Sequence, residues 1–225
     1  MPRLVIFDVD GTLVDSQAHI VGAMADAFDA LRIPVPSRAE ILGVVGLSLP
    51  LALARLAPAL GARDLERLGA AYRESFMTRR DRAPVGEVAP FYPGMRALLD
   101  ALSAQDDVLL GVATGKSRRG LERLVEAHGL GPLFVTTQTA DDHPSKPNPA
   151  MILAALAETG VAPDRAVMVG DTTFDIEMAG AAGVRGLGVA WGYHGADALE
   201  RAGAEAVADT AEALAGLLHA AEWEG

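Results

Sequence analysis

The chain has 225 residues, half of them hydrophobic, no cysteine, and a formal net charge of −11. This allows one domain or two small ones around a sizeable core, and it excludes disulfides, thiolate metal sites and a cysteine nucleophile. So acidic a surface repels nucleic acid and anionic membranes, so neither is an expected partner, and an anionic substrate has to be drawn by a local positive site.

Leu4-Val5-Ile6-Phe7 is a continuous apolar run, as in a strand buried on both faces. No leader pattern precedes it, and no apolar stretch reaches the roughly 18 residues of a membrane span, so a cytoplasmic location is expected. Asp8 and Asp10 follow in Phe7-Asp8-Val9-Asp10-Gly11-Thr12-Leu13. Strand alternation aims both carboxylates to one side, and Gly11 lets the chain turn away sharply. After Thr12, Ile20, Met24, Ala27, Phe28 and Leu31 recur at helical spacing. Pro34 and Pro36 end that helix, and Ser37-Arg38-Ala39-Glu40 reads as a capping box starting another. Helix continues to about Arg80, and a Pro/Gly-rich segment over 83–94 reads as a linker.

Beyond it strand and helix alternate. Strands are expected at Val108 to Thr114, Val167 to Asp171 and Leu187 to Ala190. Helices are expected at 95–104, 117–128, 149–158 and 172–182. The alternation indicates an α/β fold with a doubly wound, Rossmann-like parallel sheet, with 1–15 and 86–225 as its core. The helices of 16–85 then form an inserted helical cap.

In open parallel sheets ligands bind at the carboxyl ends of the strands. Thr114 ends a strand in Gly111-Val112-Ala113-Thr114-Gly115-Lys116-Ser117, where its hydroxyl and the amides from Gly115 onward suit a phosphate oxygen. Lys146 lies in Ser145-Lys146-Pro147-Asn148-Pro149, an ammonium on a stiff loop, and Asp171 and Asp175 follow another strand. Four carboxylates converging on one edge repel strongly; a pair about 4 Å apart costs about 4 kcal/mol at an effective dielectric of 20. Mg²⁺ and Lys146 relieve that repulsion and neutralise a phosphoryl group.

The four motifs, in this order, resemble the haloacid dehalogenase-like hydrolase superfamily. The cap segment Val45-Gly46-Leu47-Ser48-Leu49 and Gly188-Val189-Ala190-Trp191-Gly192-Tyr193 resemble its phosphoglycolate phosphatase-like branch. The resemblance implies that Asp8 is the nucleophile forming an aspartyl-phosphate and that Asp10 is the general acid/base. It implies that Asp8, Asp171 and the backbone carbonyl of Asp10 hold Mg²⁺, with Thr114, Gly115 and Lys146 on the phosphoryl oxygens and Asp175 and Gly11 in support. The expected activity is hydrolysis of a small phosphorylated metabolite, with 2-phosphoglycolate a candidate. Gly46, Leu47 and Ser48 are the candidate specificity segment, because they offer backbone groups and one hydroxyl between helices.

The alternatives are a sugar phosphomutase of the same superfamily and, from a different class, a phospho-accepting receiver-type signalling domain. A true dehalogenase is disfavoured, since carbon–halogen chemistry needs neither Mg²⁺ nor a second acid at Asp10. The Gly111–Ser117 segment also imitates a nucleotide P-loop but is one residue short. His19, His128, His143, His194 and His219 form no ligand spacing and read as ordinary surface or helix residues, with His19 a candidate exception under the cap.

Overall fold

The computed structural model describes residues 2–82 and 89–220. Its centre is a sheet of six parallel strands in the order β3-β2-β1-β4-β5-β6. These are β1 (Arg3–Phe7), β2 (Val108–Thr114), β3 (Phe134–Thr139), β4 (Ala166–Gly170), β5 (Arg185–Val189) and β6 (Ala206–Ala208). The order reverses at β1, which pairs with β2 on one side and β4 on the other.

Alternation along each strand explains the two cores. Val5 and Phe7 face one side of the sheet with Val112, Val167 and Val169. There they meet Leu98 and Leu99 of α5 (Met95–Ser103), Leu121 of α6 (Arg118–Ala127) and Leu214 of α10 (Ala211–Ala220). Leu4 and Ile6 face the other side with Met168, against Met151 and Ile152 of α7 (Ala150–Thr159) and Met178 of α8 (Thr173–Ala181). The short helix α9 (Ala196–Arg201) packs on β5 and β6. A fully buried side chain of this size contributes about 1.5–3 kcal/mol, so the two clusters supply the stability that the polar strand ends consume.

Between β1 and α5 the chain forms α1 (Gln17–Ala30), α2 (Arg38–Leu42), α3 (Leu49–Leu56) and α4 (Ala62–Arg82). They gather around a third cluster that includes Ile20, Met24, Phe28, Ile41, Leu53 and Leu68. The capping box forms: the Ser37 hydroxyl accepts from Glu40 N–H, and the Glu40 carboxylate accepts from Ser37 N–H. Of the expected linker, 83–88 lies outside the described residues. Past it Phe91 bridges to Val14 and Tyr92 N–H donates to Leu13 O, so the returning chain is tied beside the chain that left.

The expected strands and helices appear within about two residues at each end. Two strands were not expected. β3 is an edge strand reading Phe-Val-Thr-Thr-Gln-Thr, so it lacks the apolar run of a central strand. β6 is an Ala-Val-Ala segment three residues long, too short to carry an alternation.

Candidate active site

Three chain ends meet where the sheet order reverses. β1 delivers Asp8, β2 ends on Thr114, and Asp171 follows β4. Asp8 N–H donates to Val169 O at 2.9 Å, which fixes the nucleophile candidate beside β4. Gly11 makes the turn after Asp10 at φ +94°, and a Cβ there would overlap the Asp171 carboxylate, so both the turn and the close approach require glycine.

Lys146 is completely buried and reaches Asp8 Oδ1 at 2.7 Å and Asp175 Oδ1 at 2.6 Å. Asp175 Oδ2 accepts from Thr172 Oγ1 at 2.7 Å and from Thr172 N–H at 3.1 Å, in the capping box of α8. Both oxygens of Asp175 are therefore occupied by the protein. Asp171 accepts from Thr12 Oγ1 on Oδ1 at 2.8 Å and from Tyr193 N–H on Oδ2 at 2.8 Å.

Asp8, Asp171 and Asp175 are buried, and each offers a carboxylate oxygen within 4.8 Å of the others. Asp10 is not in that group, although its charge still acts on Asp8. The Asp10 side chain turns instead to Ser16 Oγ, 2.6 Å from its Oδ1, and to Lys116 Nζ, 2.7 Å from its Oδ2.

Three buried carboxylates face one ammonium, and two of them, Asp8 and Asp171, are raised. Burial pushes Asp8 up to about 6, with Asp175 and Asp10 adding to the shift and Lys146 opposing it. Burial pushes Asp171 well above the carboxylate range, with the Asp8 and Asp175 charges adding to it. Burial alone would lower Lys146, but the Asp175 and Asp8 carboxylates override it and hold the ammonium charged. Such a cluster suits a small hard cation, which takes oxygen ligands and offsets the imbalance.

Thr114 is buried, and its hydroxyl accepts from Lys116 N–H at 3.2 Å. Gly115 lies directly under the candidate specificity segment. A Cβ on it would stand 2.5 Å from Gly46 O and 2.8 Å from Leu47 O. Ser48 N–H donates to Ser145 Oγ at 2.8 Å, next to Lys146. Leu47 packs with Ala52 and Phe174, the latter on α8. Gly46, Leu47 and Ser48 therefore touch the strand-end edge rather than forming a free interhelical turn.

Several contributors have no role of their own assigned by the sequence. Thr12 lies inside the first motif, and its bond to Asp171 spans 159 positions of sequence. Lys116 lies in the Thr114 motif and its P-loop imitation; its ammonium also lies 5.6 Å from the centre of the Phe76 ring of α4. Ser16 and Tyr193 reach Asp10 only through folding. His194 is a correction to the surface reading: it is half-buried, and its Nδ1 accepts from Thr173 N–H at the start of α8. His19 lies 6.4 Å from Phe76, among the inserted helices.

Residues 5–189 match the haloacid dehalogenase-like hydrolase family. "Probable phosphatase IndB" of Dickeya dadantii is 38% identical over 222 residues, 98% of this chain and 95% of that protein. A phosphoglycolate phosphatase of Pseudomonas putida is 30% identical, over 95% of this chain and 79% of that protein. Among solved structures, a hydrolase from Pseudomonas syringae superposes with a TM-score of 0.84 at 27% identity, covering 96% of this chain and 98% of that one.

Proposed function

The chain belongs to the haloacid dehalogenase-like hydrolases, in the phosphoglycolate phosphatase-like branch, and is a phosphoric monoester hydrolase; from that premise we propose that it is a Mg²⁺-dependent phosphatase of a small phosphorylated metabolite, with 2-phosphoglycolate the first candidate. The observation that carries this reading is the buried Lys146 between Asp8 and Asp175, with Asp171 alongside. Membership as a hydrolase sets aside the receiver-type signalling alternative.

Asp8, Asp171 and the backbone carbonyl of Asp10 would hold Mg²⁺, with Asp175, which bonds Lys146 and Thr172, in support. When bound, the ion supplies positive charge against the phosphoryl oxygens and the acid cluster. Lys146 has three donors and gives two to Asp8 and Asp175, so its third is available to a phosphoryl oxygen. The Thr114 hydroxyl and the Gly115 amide bind further oxygens.

In the first step an Asp8 carboxylate oxygen attacks phosphorus and the ester P–O bond breaks. Asp10 gives its proton to the departing alkoxide. In the second step Asp10, now a carboxylate, takes a proton from water, and the hydroxide attacks the aspartyl-phosphate. Inorganic phosphate leaves and Asp8 is restored. Residues 16–85 act as the cap: they close the edge against bulk water and present Gly46, Leu47 and Ser48 to the substrate.

The test is phosphate release from p-nitrophenyl phosphate and a panel of small phosphate monoesters, with Mg²⁺ and with excess chelator. Release that needs Mg²⁺ is expected, and full activity in chelator would overturn the metal assignment.

A further inference from the structure

Trp191, Gly192 and Tyr193 follow β5 and have no part in the steps above. Trp191 Nε1 donates to Thr12 O at 3.1 Å, and Tyr193 N–H holds Asp171. The Tyr193 phenol continues past that acid. Its oxygen lies 3.0 Å from Ser16 Oγ, which lies 2.6 Å from Asp10 Oδ1.

The direction of this chain follows from the donor inventory. Ser16 Oγ carries one proton and donates it to Asp10 Oδ1. Ser16 Oγ must then accept from the phenol, and the order is Tyr193 to Ser16 to Asp10.

Ser16 stands at the N-cap of α1, where a serine ordinarily accepts from a first-turn N–H. It makes no such bond here. Its hydroxyl is diverted from capping the helix to holding Asp10. A serine hydroxyl turns freely by itself; the second bond, from a phenol on a different loop, fixes it. Lys116 holds the other Asp10 oxygen.

We propose that Tyr193 is a positioning residue for the general acid/base: acting through Ser16, its phenol fixes the Asp10 carboxyl where it meets the leaving oxygen. The inference rests on the phosphatase reading. Its consequence is selective, because proton delivery matters for a basic leaving group such as phenolate and far less for the stabilised p-nitrophenolate. Misplacing the acid by a fraction of an ångström therefore penalises poor leaving groups above good ones.

The experiment measures kcat/KM with Mg²⁺ for p-nitrophenyl phosphate and phenyl phosphate, in the full chain and in Tyr193→Phe, Ser16→Ala, Ser16→Thr and the double variant Ser16→Ala/Tyr193→Phe. Tyr193→Phe is expected to lose about tenfold more on phenyl phosphate than on the nitro ester, a share of the about 10²–10⁴ carried by a general acid. Ser16→Ala is expected to show the same bias, Ser16→Thr to keep the wild-type ratio, and the double variant to be no worse than Ser16→Ala, since the phenol acts through Ser16. Equal losses on both esters, or additive losses in the double variant, would overturn the inference. Should Tyr193→Phe not fold, equal losses on both esters in Ser16→Ala would still overturn the inference, since among the described residues the phenol has no other route to Asp10. A wild-type chain inactive on every ester would overturn the phosphatase reading itself.

Discussion

Lys146 Nζ lies 2.7 Å from Asp8 Oδ1, with neither side chain more than 2% exposed, so the nucleophile candidate and its counter-charge are buried as a pair. Removing one member of a buried pair leaves an uncompensated charge, which costs about 3–5 kcal/mol, far more than an exposed pair is worth. Lys146→Ala is therefore expected to lower stability by that order in denaturant titration. It is also expected to lower kcat by about 10²–10³, the usual loss for one electrostatic donor. Wild-type values in both measurements would make Lys146 a bystander.

The two acids of the first motif predict different losses. Asp8→Asn abolishes turnover, because an amide cannot attack phosphorus and be regenerated. Asp10→Asn keeps the nucleophile and loses about 10²–10⁴ in kcat. Acid-quenched wild-type enzyme should carry phosphate on Asp8, located by peptide mapping, and Asp8→Asn should carry none. Near-wild-type turnover by Asp8→Asn would rule out a covalent intermediate.

The strand ends were legible in the sequence because each advertises itself locally. An apolar run stops at an acid, a threonine or a glycine, and the sheet order then brings Asp8, Thr114 and Asp171 to one edge without any side-chain detail. What holds those groups was not legible. Thr12 bonds to Asp171 across 159 positions, and Tyr193 reaches Ser16 across 177. No local pattern marks such partners, since a threonine in a turn and a tyrosine in a loop look like any others. Ser16 occupies the N-cap position of α1, yet its hydroxyl serves Asp10 rather than the helix. β3 was missed because an edge strand can be rich in Thr and Gln and still pair with β2, here with a register shift between Phe134 and Thr136.

Gly115 offers a direct probe of the contact between the inserted helices and the strand ends. Its added Cβ would meet backbone atoms, Gly46 O at 2.5 Å and Leu47 O at 2.8 Å, which cannot swing aside as a side-chain tip could. Gly115→Ala is expected to push the 45–49 segment off the edge and to lower kcat/KM for small esters at least tenfold. The inserted helices keep their own core around Phe28, Ile41 and Leu53, so the melting temperature should change little. Gly180→Ala is the control. It meets nothing within 4 Å and lies within α8, so it should keep activity and gain up to about 1 kcal/mol. Equal kinetics for both variants would show that the segment does not govern access.

The acid cluster also predicts how metal and pH act together on stability. Asp8 titrates near 6 in the folded protein against 3.8 for its unperturbed value, and Asp171 is raised as well, in both cases chiefly by burial. Between about pH 4 and 6 the folded chain then holds protons that the unfolded chain has released. Stability changes with pH in proportion to protons bound unfolded minus folded, a negative quantity here, so this contribution falls as pH rises through that window and is lost above it. Asp26 and Asp142 work the other way: hydrogen bonds from Arg79 and Arg118 lower them, and their contribution grows as pH rises. A bare melting curve mixes the two signs. The difference made by Mg²⁺ isolates the cluster, because the cation competes with protons for the same carboxylates and stabilises only the form that binds it. Saturating Mg²⁺ is therefore expected to raise the melting temperature more at pH 7.5 than at pH 5, and Asp171→Asn should abolish that difference. An increment equal at both pH values in the wild-type chain would mean that the cation binds somewhere other than Asp8 and Asp171.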